Sequence, residues 1–334
     1  MTSGYTIPRE KLLGIRRVVV HKDCPDGLAS ALLIADALAE RWAKPDGKDV
    51  QIDFIHNKTP EHLALGPEPG LLLCDIAPHP DRAKDFAASE EVIVLDHHIA
   101  AREIVQACPL GVYAAESTGL SGASLAFQEV WDRIHPHRAR LELRDRVETV
   151  ALLASIRDTF QREHPRWTEA CGQAEVMRFY GDPKHWPFDH VFEDAAFWRQ
   201  RMTLGPVLLE RRAAAVQRDI ANGMRFTTEA GTRVLLLNGL GQASDVADAL
   251  SGKVDLVIGF LYSAETGTPL LIVTARSGTS DFNCAALCKA YGGGGHTGSA
   301  SFRKPVHSRH PEPYTHLRKL IEKYERSTVT SKGD

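Results

Sequence analysis

Acidic and imidazole side chains recur in this sequence directly after short apolar runs. His21, Asp23 and Asp26 follow Val18-Val19-Val20. Asp75 follows Leu71-Leu72-Leu73-Cys74, and Asp96, His97 and His98 follow Val92-Ile93-Val94-Leu95. A single aspartate after such a run is usually a turn residue or a helix cap. Asp26 before Gly27, and Asp75 before Ile76-Ala77-Pro78, each admit that reading. Three endings of the same kind are harder to explain as independent turns. Carboxylates and imidazoles together suit Mn²⁺ or a similar divalent ion. Two such ions, roughly 3.5–4 Å apart, can share a bridging carboxylate and activate one water for in-line attack on phosphorus. That chemistry needs no protein nucleophile, and the sequence holds no G-x-S-x-G and no Cys/His pair that would suggest one. A second ion would still be short of ligands. The best further candidate is Asp158, which closes a predicted helix in Ala154-Ser155-Ile156-Arg157-Asp158-Thr159. An aspartate there opposes the helix dipole, a mild cost that hints at function.

The elements that must position these residues can be read from the same runs. Short apolar runs without alternation suit strands covered on both faces, as in parallel sheets. A weaker run, Gln51-Ile52-Asp53-Phe54-Ile55, lies among them, and helical patterns over 28–38 and 81–88 separate them. The alternation predicts an α/β layer fold. In an open parallel sheet, ligands bind at the carboxyl ends of the strands, so the three endings should share one edge. A long helix is predicted over 141–156, with Leu143, Val147, Val150, Ala151 and Ala154 at helical spacing. Residues 160–195, with Pro165, Gly181, Pro183 and Pro187 among aromatics and histidines, are expected to be irregular over short helices. Residues 202–221 form a charged helical stretch leading out of the first domain. A second α/β pattern begins near Arg225, with strands in 233–237, 255–260 and 270–273 and helices in 244–250 and 283–291. Gly292-Gly293-Gly294-Gly295-His296 is a run that neither a strand nor a helix interior would choose. The polar tail, 327–334, is expected to fray.

Bulk properties bound the function. At 334 residues the chain is long for one core, so two domains are expected. Apolar residues make up 43% and charged residues 25%, a globular balance. A formal net charge of −3 does not suit a protein that grips long duplex nucleic acid over its whole surface. The six cysteines form no C-x-x-C pair, which argues against a structural zinc site or a disulfide framework. Cys284 and Cys288, four apart, read as two packed thiols. The segment MTSGYTIPREKLLG lacks the apolar centre of a signal peptide, and no run approaches the roughly 18–20 apolar residues of a membrane span. A soluble, reduced, cytoplasmic protein without membrane contact is expected.

Taken in order, VVVHKDCPDGLASALL at 18–33, LLLCDIAP at 71–78, VIVLDHHIA at 92–100 and ASIRDTF at 154–160 resemble the DHH phosphoesterases. That group includes RecJ-type exonucleases, oligoribonuclease/pAp phosphatases and family II pyrophosphatases. TARSGTSDFNCAALCKAYGGGGHTGSASF at 274–302 resembles the DHH-associated substrate domain. The resemblance implies an N-terminal parallel-sheet DHH domain over 1–200 and a helical linker over 201–224. A smaller α/β DHH-associated domain over 225–326 and the tail follow, with the active site in the cleft between the domains. By position, it makes His21 and Asp75 ligands of one metal. Asp26, Asp75, His97 and Asp158 then hold a second, with Asp75 bridging. His98 faces the phosphate, and Asp96 orients a neighbour. The loop His21-Lys22-Asp23-Cys24-Pro25-Asp26-Gly27 departs from the usual His-x-Asp-x-Asp-Gly by one extra residue between the aspartates. A variant branch with a Cys between the His and the Asp-Gly resembles it better. Asp23 is carried as a further candidate ligand, and Asp26 keeps its place before the glycine that opens the helix. In the associated domain, Arg276, Ser277, Asn283, Gly293, Gly294, Gly295 and His296 match positions that hold a substrate phosphate, with glycine N–H groups able to approach it closely. His135, His137, His164, His185 and His190 lie outside any matched motif and suit surface or packing roles.

The expected activity is hydrolysis of phosphodiester or phosphomonoester bonds with two divalent ions, Mn²⁺ first and Mg²⁺ or Co²⁺ as alternatives. The expected substrates are small: short single-stranded oligonucleotides, dinucleotides or 3′-phosphoadenosine 5′-phosphate, rather than long duplexes. A polyphosphate hydrolase is the alternative within the class. A stacking aromatic near the glycine run would argue for a base, and Tyr291 is the candidate there. A catalytically silent nucleotide sensor is the alternative outside the class, and loss of Asp26, Asp75, His97 or Asp158 would have favoured it. The sequence leaves the oligomeric state open, a dimer included.

Overall fold

A computed structural model describes residues 7–42, 50–57, 59–135, 141–188, 191–263, 270–279, 282–305 and 313–330. The chain divides into two compact units, Met1–Leu209 and Glu210–Asp334.

The first unit is built on β1 (Arg17–His21), β2 (Gln51–Ile55), β3 (Leu71–Cys74), β4 (Ile93–Asp96) and β5 (Leu110–Tyr113). They form one sheet in the order β2-β1-β3-β4-β5, parallel throughout. Every residue of β3 and β4 is buried, the result of covering a parallel sheet on both faces. One layer comprises α1 (Pro25–Trp42), α2 (Gly122–Leu125), which continues into a π-helical turn over Ala126–Trp131, and α3 (Leu141–Asp158). Val18, Val20, Leu32, Leu72, Trp131, Val147 and Val150 lie in the core between this layer and the sheet. Each such apolar side chain contributes about 1.5–3 kcal/mol by burial. The opposite face buries Val19, Leu71, Leu73, Phe86 and Val105. Strand order reverses at β1, with β2 on one side and β3 on the other. At such a switch, crossovers depart to opposite faces and a crevice opens outside the carboxyl ends of the two strands. His21 ends β1, and Asp75 directly follows β3.

The second unit carries β6 (Met224–Thr227), β7 (Arg233–Asn238), β8 (Leu256–Ser263), β9 (Leu270–Ser277), β10 (Gly294–His296) and β11 (Ser299–Pro305). Their order is β10-β11-β9-β8-β7-β6, and only the β7–β8 pairing is parallel. Alternation along β7 sends Val234 and Leu236 to one core, with Ile258, Val273, Phe302, Leu317 and Ile321. Leu235 and Leu237 go to the other, with Val216, Val246 and Val257.

Three expectations are corrected. Residues 160–195 hold a longer helix than the short ones expected. They contain α4 (Trp167–Phe179), whose Ala170, Ala174, Val176 and Met177 are buried; flanking prolines and aromatics mask that apolar face in the sequence. The charged stretch 202–221 is helical as expected: it is α5 (Gly205–Asn222), parted at Thr203-Leu204 from a preceding helix, Ala195–Met202. The unit boundary falls within α5. Part of the glycine run is a strand, since Gly294–His296 pairs with Ser299–Ser301 of β11. A Cβ on Gly293 would stand 2.1 Å from the Ser301 carbonyl oxygen, so glycine is what allows this close approach. Finally, the polar tail is helical to Thr330, because α7 (Pro313–Thr330) is anchored by buried Leu317, Leu320 and Ile321; residues 331–334 lie outside the described residues. The short strands β5, β6 and β11 and the helix α7 were not anticipated.

Candidate metal centre

Five elements, β1, α1, β3, β4 and α3, deliver the residues of the first-unit site. Asp26, Asp75 and Asp96 are each only 1% exposed. Burying three carboxylates is unfavourable unless hydrogen bonds or cations compensate them. Asp96 is compensated by its own loop. Its Oδ1 accepts from the His97 amide at 2.6 Å, from the His98 amide at 3.0 Å, and pairs with His98 Nδ1 at 2.7 Å. Asp96 therefore orients the two histidines that follow it. Asp26 is half compensated. Its Oδ1 accepts from Ser121 Oγ at 2.5 Å and from the Ala123 amide at 3.2 Å, at the start of α2. Its Oδ2 has no hydrogen-bond partner. Ser121 is the N-cap residue of α2, yet its side chain makes no cap bond because its hydroxyl is turned to Asp26. Ser155 of α3 donates to Ser121 Oγ at 2.9 Å and fixes that orientation.

Asp75 is the centre of the group. His97 Nε2 lies 3.3 Å from Asp75 Oδ1, 3.2 Å from Asp158 Oδ2 and 3.9 Å from Asp26 Oδ2. His21 Nδ1 lies 4.0 Å from Asp75 Oδ2, and both of these buried atoms lack hydrogen-bond partners. Asp75 adopts φ +60°, a left-handed conformation uncommon outside glycine, and its amide donates to Leu95 O at 3.0 Å. Such strain persists where the surrounding structure over-determines it, and it clusters at functional sites. Gly122 belongs to the same packing. A Cβ there would stand 2.6 Å from Asp75 Cβ and 2.8 Å from Asp26 Oδ2.

Burial raises the Asp75 carboxyl well above the usual carboxylate range, and the Asp26 charge adds to it. Burial, with Asp26 again, pushes Asp158 up to about 6. Burial and the neighbouring His98 and His56 bring His21 down to about 4, so its ring is neutral near pH 7 with a lone pair to offer. Burial would lower His98 as well, but the Asp96 carboxylate outweighs it and holds His98 up at about 9, a cation at neutral pH. Burial pushes the Cys24 thiol up, with Asp75, Asp158 and Asp26 reinforcing it. Three sets of donor atoms lie within 4.8 Å of one another: Asp26 with His97 and Asp158; His21 with Cys24 and Asp75; and Asp75 with Asp96, His97 and His98. Unpartnered buried oxygens, a neutral imidazole and an excess of carboxylates fit divalent cations.

Asp23 is not brought into these sets. It sits at φ +56° with its side chain 70% exposed, 3.3 Å from His56 Nε2. Cys24, Ser121, Gly122 and Ser155 are the site residues that sequence reasoning missed. The Ser121-Gly122 step after Gly119 was a readable helix start. Its link to Asp26 spans 95 positions and was not readable. A cavity of about 230 Å³ opens beside the β1–α1 loop, lined by Asp23, Cys24, Leu28, Phe54, Met177 and Arg178.

In the second unit, Arg276 lies near the end of β9. Its guanidinium donates to Ser244 Oγ at 2.7 Å, to Ala275 O at 2.9 Å and to Thr274 Oγ1. Ser277 holds the following turn through Thr279, and Asn283 caps α6 (Cys284–Lys289) by accepting from the Ala286 amide at 2.9 Å. Gly294 and Gly295 lie on the edge strand β10, Gly293 just precedes it and His296 ends it, the His296 side chain lying outside the described residues. Tyr291 packs on Phe302 and donates to Leu320 O at 2.5 Å, a core role. His135 is buried against Ala37 O at 2.9 Å, His164 accepts from the Arg166 amide, and His185 meets the Tyr180 ring. His137 and His190 lie outside the described residues. Among the described residues, no helix is long and apolar enough to cross a membrane.

The first unit is thus a parallel α/β layer with a candidate divalent-metal centre at its topological switch. No family model matches the sequence, and no curated protein matches it. Solved structures do. A DHH domain from a protein described as belonging to a family of ribosomal proteins aligns at TM-score 0.58 and 13% identity, over 96% of this chain and 88% of that one. RecJ in complex with Mn²⁺ from Thermus thermophilus aligns at TM-score 0.58 and 18% identity, over 95% of this chain and 53% of its own length, so this chain spans about half of that RecJ. An exonuclease RecJ bound to manganese aligns at TM-score 0.54 and 17% identity, over 95% of both chains. At these identities the likeness is one of architecture, and the chain adopts the DHH fold.

Proposed function

We propose that the protein is a DHH-family phosphoesterase that hydrolyses phosphodiester or phosphomonoester bonds in small nucleotide substrates, with two divalent cations, Mn²⁺ among them. The observation that carries this reading is Asp75. It is buried, held at φ +60° and shared by two sets of donor atoms, with one oxygen toward His97 and the other, unpartnered, toward His21. Asp75 as a ligand of both cations would account for all of these features at once. When bound, the cations would supply charge neutralisation of the phosphate and a nucleophilic water.

The chain's own residues do the rest. Asp26, His97 and Asp158 would hold one cation, and His21 would help to hold the other. Asp96 holds His98 in its protonated form, which would offer a positive donor to a bound phosphate. In the second unit, the glycine edge at Gly294 and Gly295, with His296, would offer backbone N–H groups to a terminal phosphate, while the Gly293 amide already donates to Cys288 O at 2.9 Å and shapes the turn before them. Arg276 and Ser277 lend positive charge and turn geometry, and Asn283 fixes the helix beside them. A nucleotide is favoured over inorganic polyphosphate by the rim beyond Asp158. There Phe160 is 53% exposed, with Arg157 5.2 Å and Arg162 5.8 Å from its ring. An aromatic, cationic rim suits stacked bases joined by phosphate. Six cysteines without a disulfide agree with a cytoplasmic setting.

The test is a substrate panel on metal-free protein resupplied with Mn²⁺. It comprises short labelled RNA and DNA, cyclic and linear dinucleotides, 3′-phosphoadenosine 5′-phosphate and polyphosphate, with an Asp75→Ala, His97→Ala double variant alongside. The expected result is Mn²⁺-dependent release of mononucleotide or phosphate that the variant lacks. Turnover of polyphosphate alone would replace the nucleotide reading. Binding without any turnover would replace the enzyme by a sensor.

A further inference from the structure

In the two-cation arrangement, Asp26, His97 and Asp158 share one cation with Asp75, but only His21 and Asp75 are left for the other. A third donor stands beside that pair. Cys24 Sγ, a His21 ring nitrogen and an Asp75 oxygen all lie within 4.8 Å of one another. Two of these residues also carry two of the three unpartnered buried atoms named for the site, His21 Nδ1 and Asp75 Oδ2, and Asp75 is 1% exposed.

The loop explains why Cys24, rather than Asp23, reaches inward. Asp23 takes a left-handed φ of +56°, which turns its carboxylate outward to His56. Cys24 then occupies the position before α1, with its carbonyl accepting from the Leu28 amide at 2.9 Å. That position normally favours Ser, Thr, Asp or Asn, so a cysteine there is not explained by helix capping. A merely packed thiol is the plainer reading, and four other cysteines show what it looks like. Cys74 donates to Gly122 O at 3.4 Å and Cys108 to Ile104 O at 3.3 Å, while Cys284 and Cys288 lie in an apolar core. None of those is grouped with a histidine and a carboxylate among the described residues. Cys24 is half-buried and lines the 230 Å³ cavity, which gives an entering ion a path to its sulfur.

We propose that the Cys24 thiolate is a ligand of the cation held by His21 and Asp75. This rests on the two-metal reading above and makes the two positions chemically unequal. The Asp26, His97 and Asp158 position is nitrogen and oxygen only and accepts a hard ion such as Mn²⁺. The Cys24 position joins sulfur, nitrogen and oxygen donors, a set that selects Zn²⁺, Co²⁺ or Fe²⁺ over Mn²⁺ and Mg²⁺. Binding replaces the thiol proton by the cation, and the proton leaves to solvent.

Cobalt substitution of the full chain tests this directly, because a thiolate bound to Co²⁺ gives a near-ultraviolet sulfur-to-metal charge-transfer band whether or not substrate turns over. The wild-type protein is expected to take up two Co²⁺, one of them with the band. Cys24→Ser should lose the band and weaken that one site on the order of 100-fold, leaving the other in place. Cys24→Asp should also lack the band but recover two-ion binding, with the preference moved toward Mn²⁺. Two Co²⁺ bound to wild type without the band would overturn the thiolate ligand and leave the two-metal reading standing. A band that persists in Cys24→Ser would do the same. No divalent cation bound at all would overturn both. A wild-type spectrum without the band overturns the proposal with no variant needed, and Cys24→Asp is the second variant that assigns the band where Cys24→Ser misfolds.

Discussion

At the carboxyl edge of β1, β3 and β4, buried polar atoms are left over. Asp26 Oδ2, Asp75 Oδ2 and His21 Nδ1 have no hydrogen-bond partner, in a cluster with more carboxylates than cations. At the end of β9 in the second unit, the candidate side chains are already engaged. Arg276 is bonded to Ser244, Thr274 and Ala275, and Asn283 caps its helix. Buried polar groups are ordinarily satisfied, so the unsatisfied edge is where something from outside the chain belongs. The engaged edge is a scaffold that presents backbone. Matching residue types at strand ends therefore do not mean matching roles.

The largest expected effect comes from Asp75→Asn. Asparagine accepts the left-handed conformation, so the fold should persist. Activity should fall on the order of 10³-fold or more, because several kcal/mol of charge stabilisation depends on the bridged cations. In chelator, the same variant should melt at a higher temperature than wild type, since it no longer buries an acid beside Asp26. A lower melting temperature would break the contrast between the two edges.

Gly122→Ala comes next. Its Cβ would collide with Asp75 and Asp26, so activity should fall about 100-fold and stability by about 1–3 kcal/mol. Gly294→Ala, whose Cβ would meet nothing within 4 Å, should change stability by less than about 0.5 kcal/mol. Equal costs at the two glycines would show that the metal-centre packing is not the tighter of the two.

The pH dependence of the chelated protein is a third check. Asp158 titrates at about 6 in the folded state against an ordinary 3.8, so the unfolded chain releases this proton first. Its contribution to stability therefore falls as pH rises from about 4 to about 6. His98, held up at about 9 against an ordinary 6.5, stabilises below that ordinary value, and its contribution is lost as pH rises through about 9. Melting curves from pH 4 to 9.5 in chelator should show both declines, and added Mn²⁺ should remove the first. Stability independent of pH between 4 and 6 would mean that Asp158 is not buried against Asp26.

Smaller effects belong to the second unit. Arg276→Lys should lower stability by about 1–2 kcal/mol through its lost hydrogen bonds and raise KM less than about tenfold. A far larger rise in KM at unchanged stability would turn the scaffold edge into a binding edge. Asn283→Ala should cost about 1 kcal/mol and leave kcat/KM unchanged.

Much of this site was legible along the chain, because each of its segments is local. An apolar run followed by His or Asp states both the strand and what its end carries, as with Val20-His21, Cys74-Asp75 and Leu95-Asp96. Apolar spacing likewise showed the helix that ends in Asp158. The α4 helix was hidden because its small buried residues, Ala170 and Ala174, give a weak apolar stripe between aromatic-rich flanks. The strand in the glycine run was hidden because glycine favours no strand by itself; β10 exists only through its pairing with β11.

The sequence by itself determined the residue types of the centre and their attachment to strand ends, since hydrophobic pattern and chain order are local properties. Only the tertiary structure decided that Ser121 turns from its own helix to hold Asp26, that Gly122 leaves room for Asp75, and that Cys24 faces inward while Asp23 faces out. Those outcomes depend on a backbone twist at single residues and on contacts across as many as 95 positions, and neither is written in spacing.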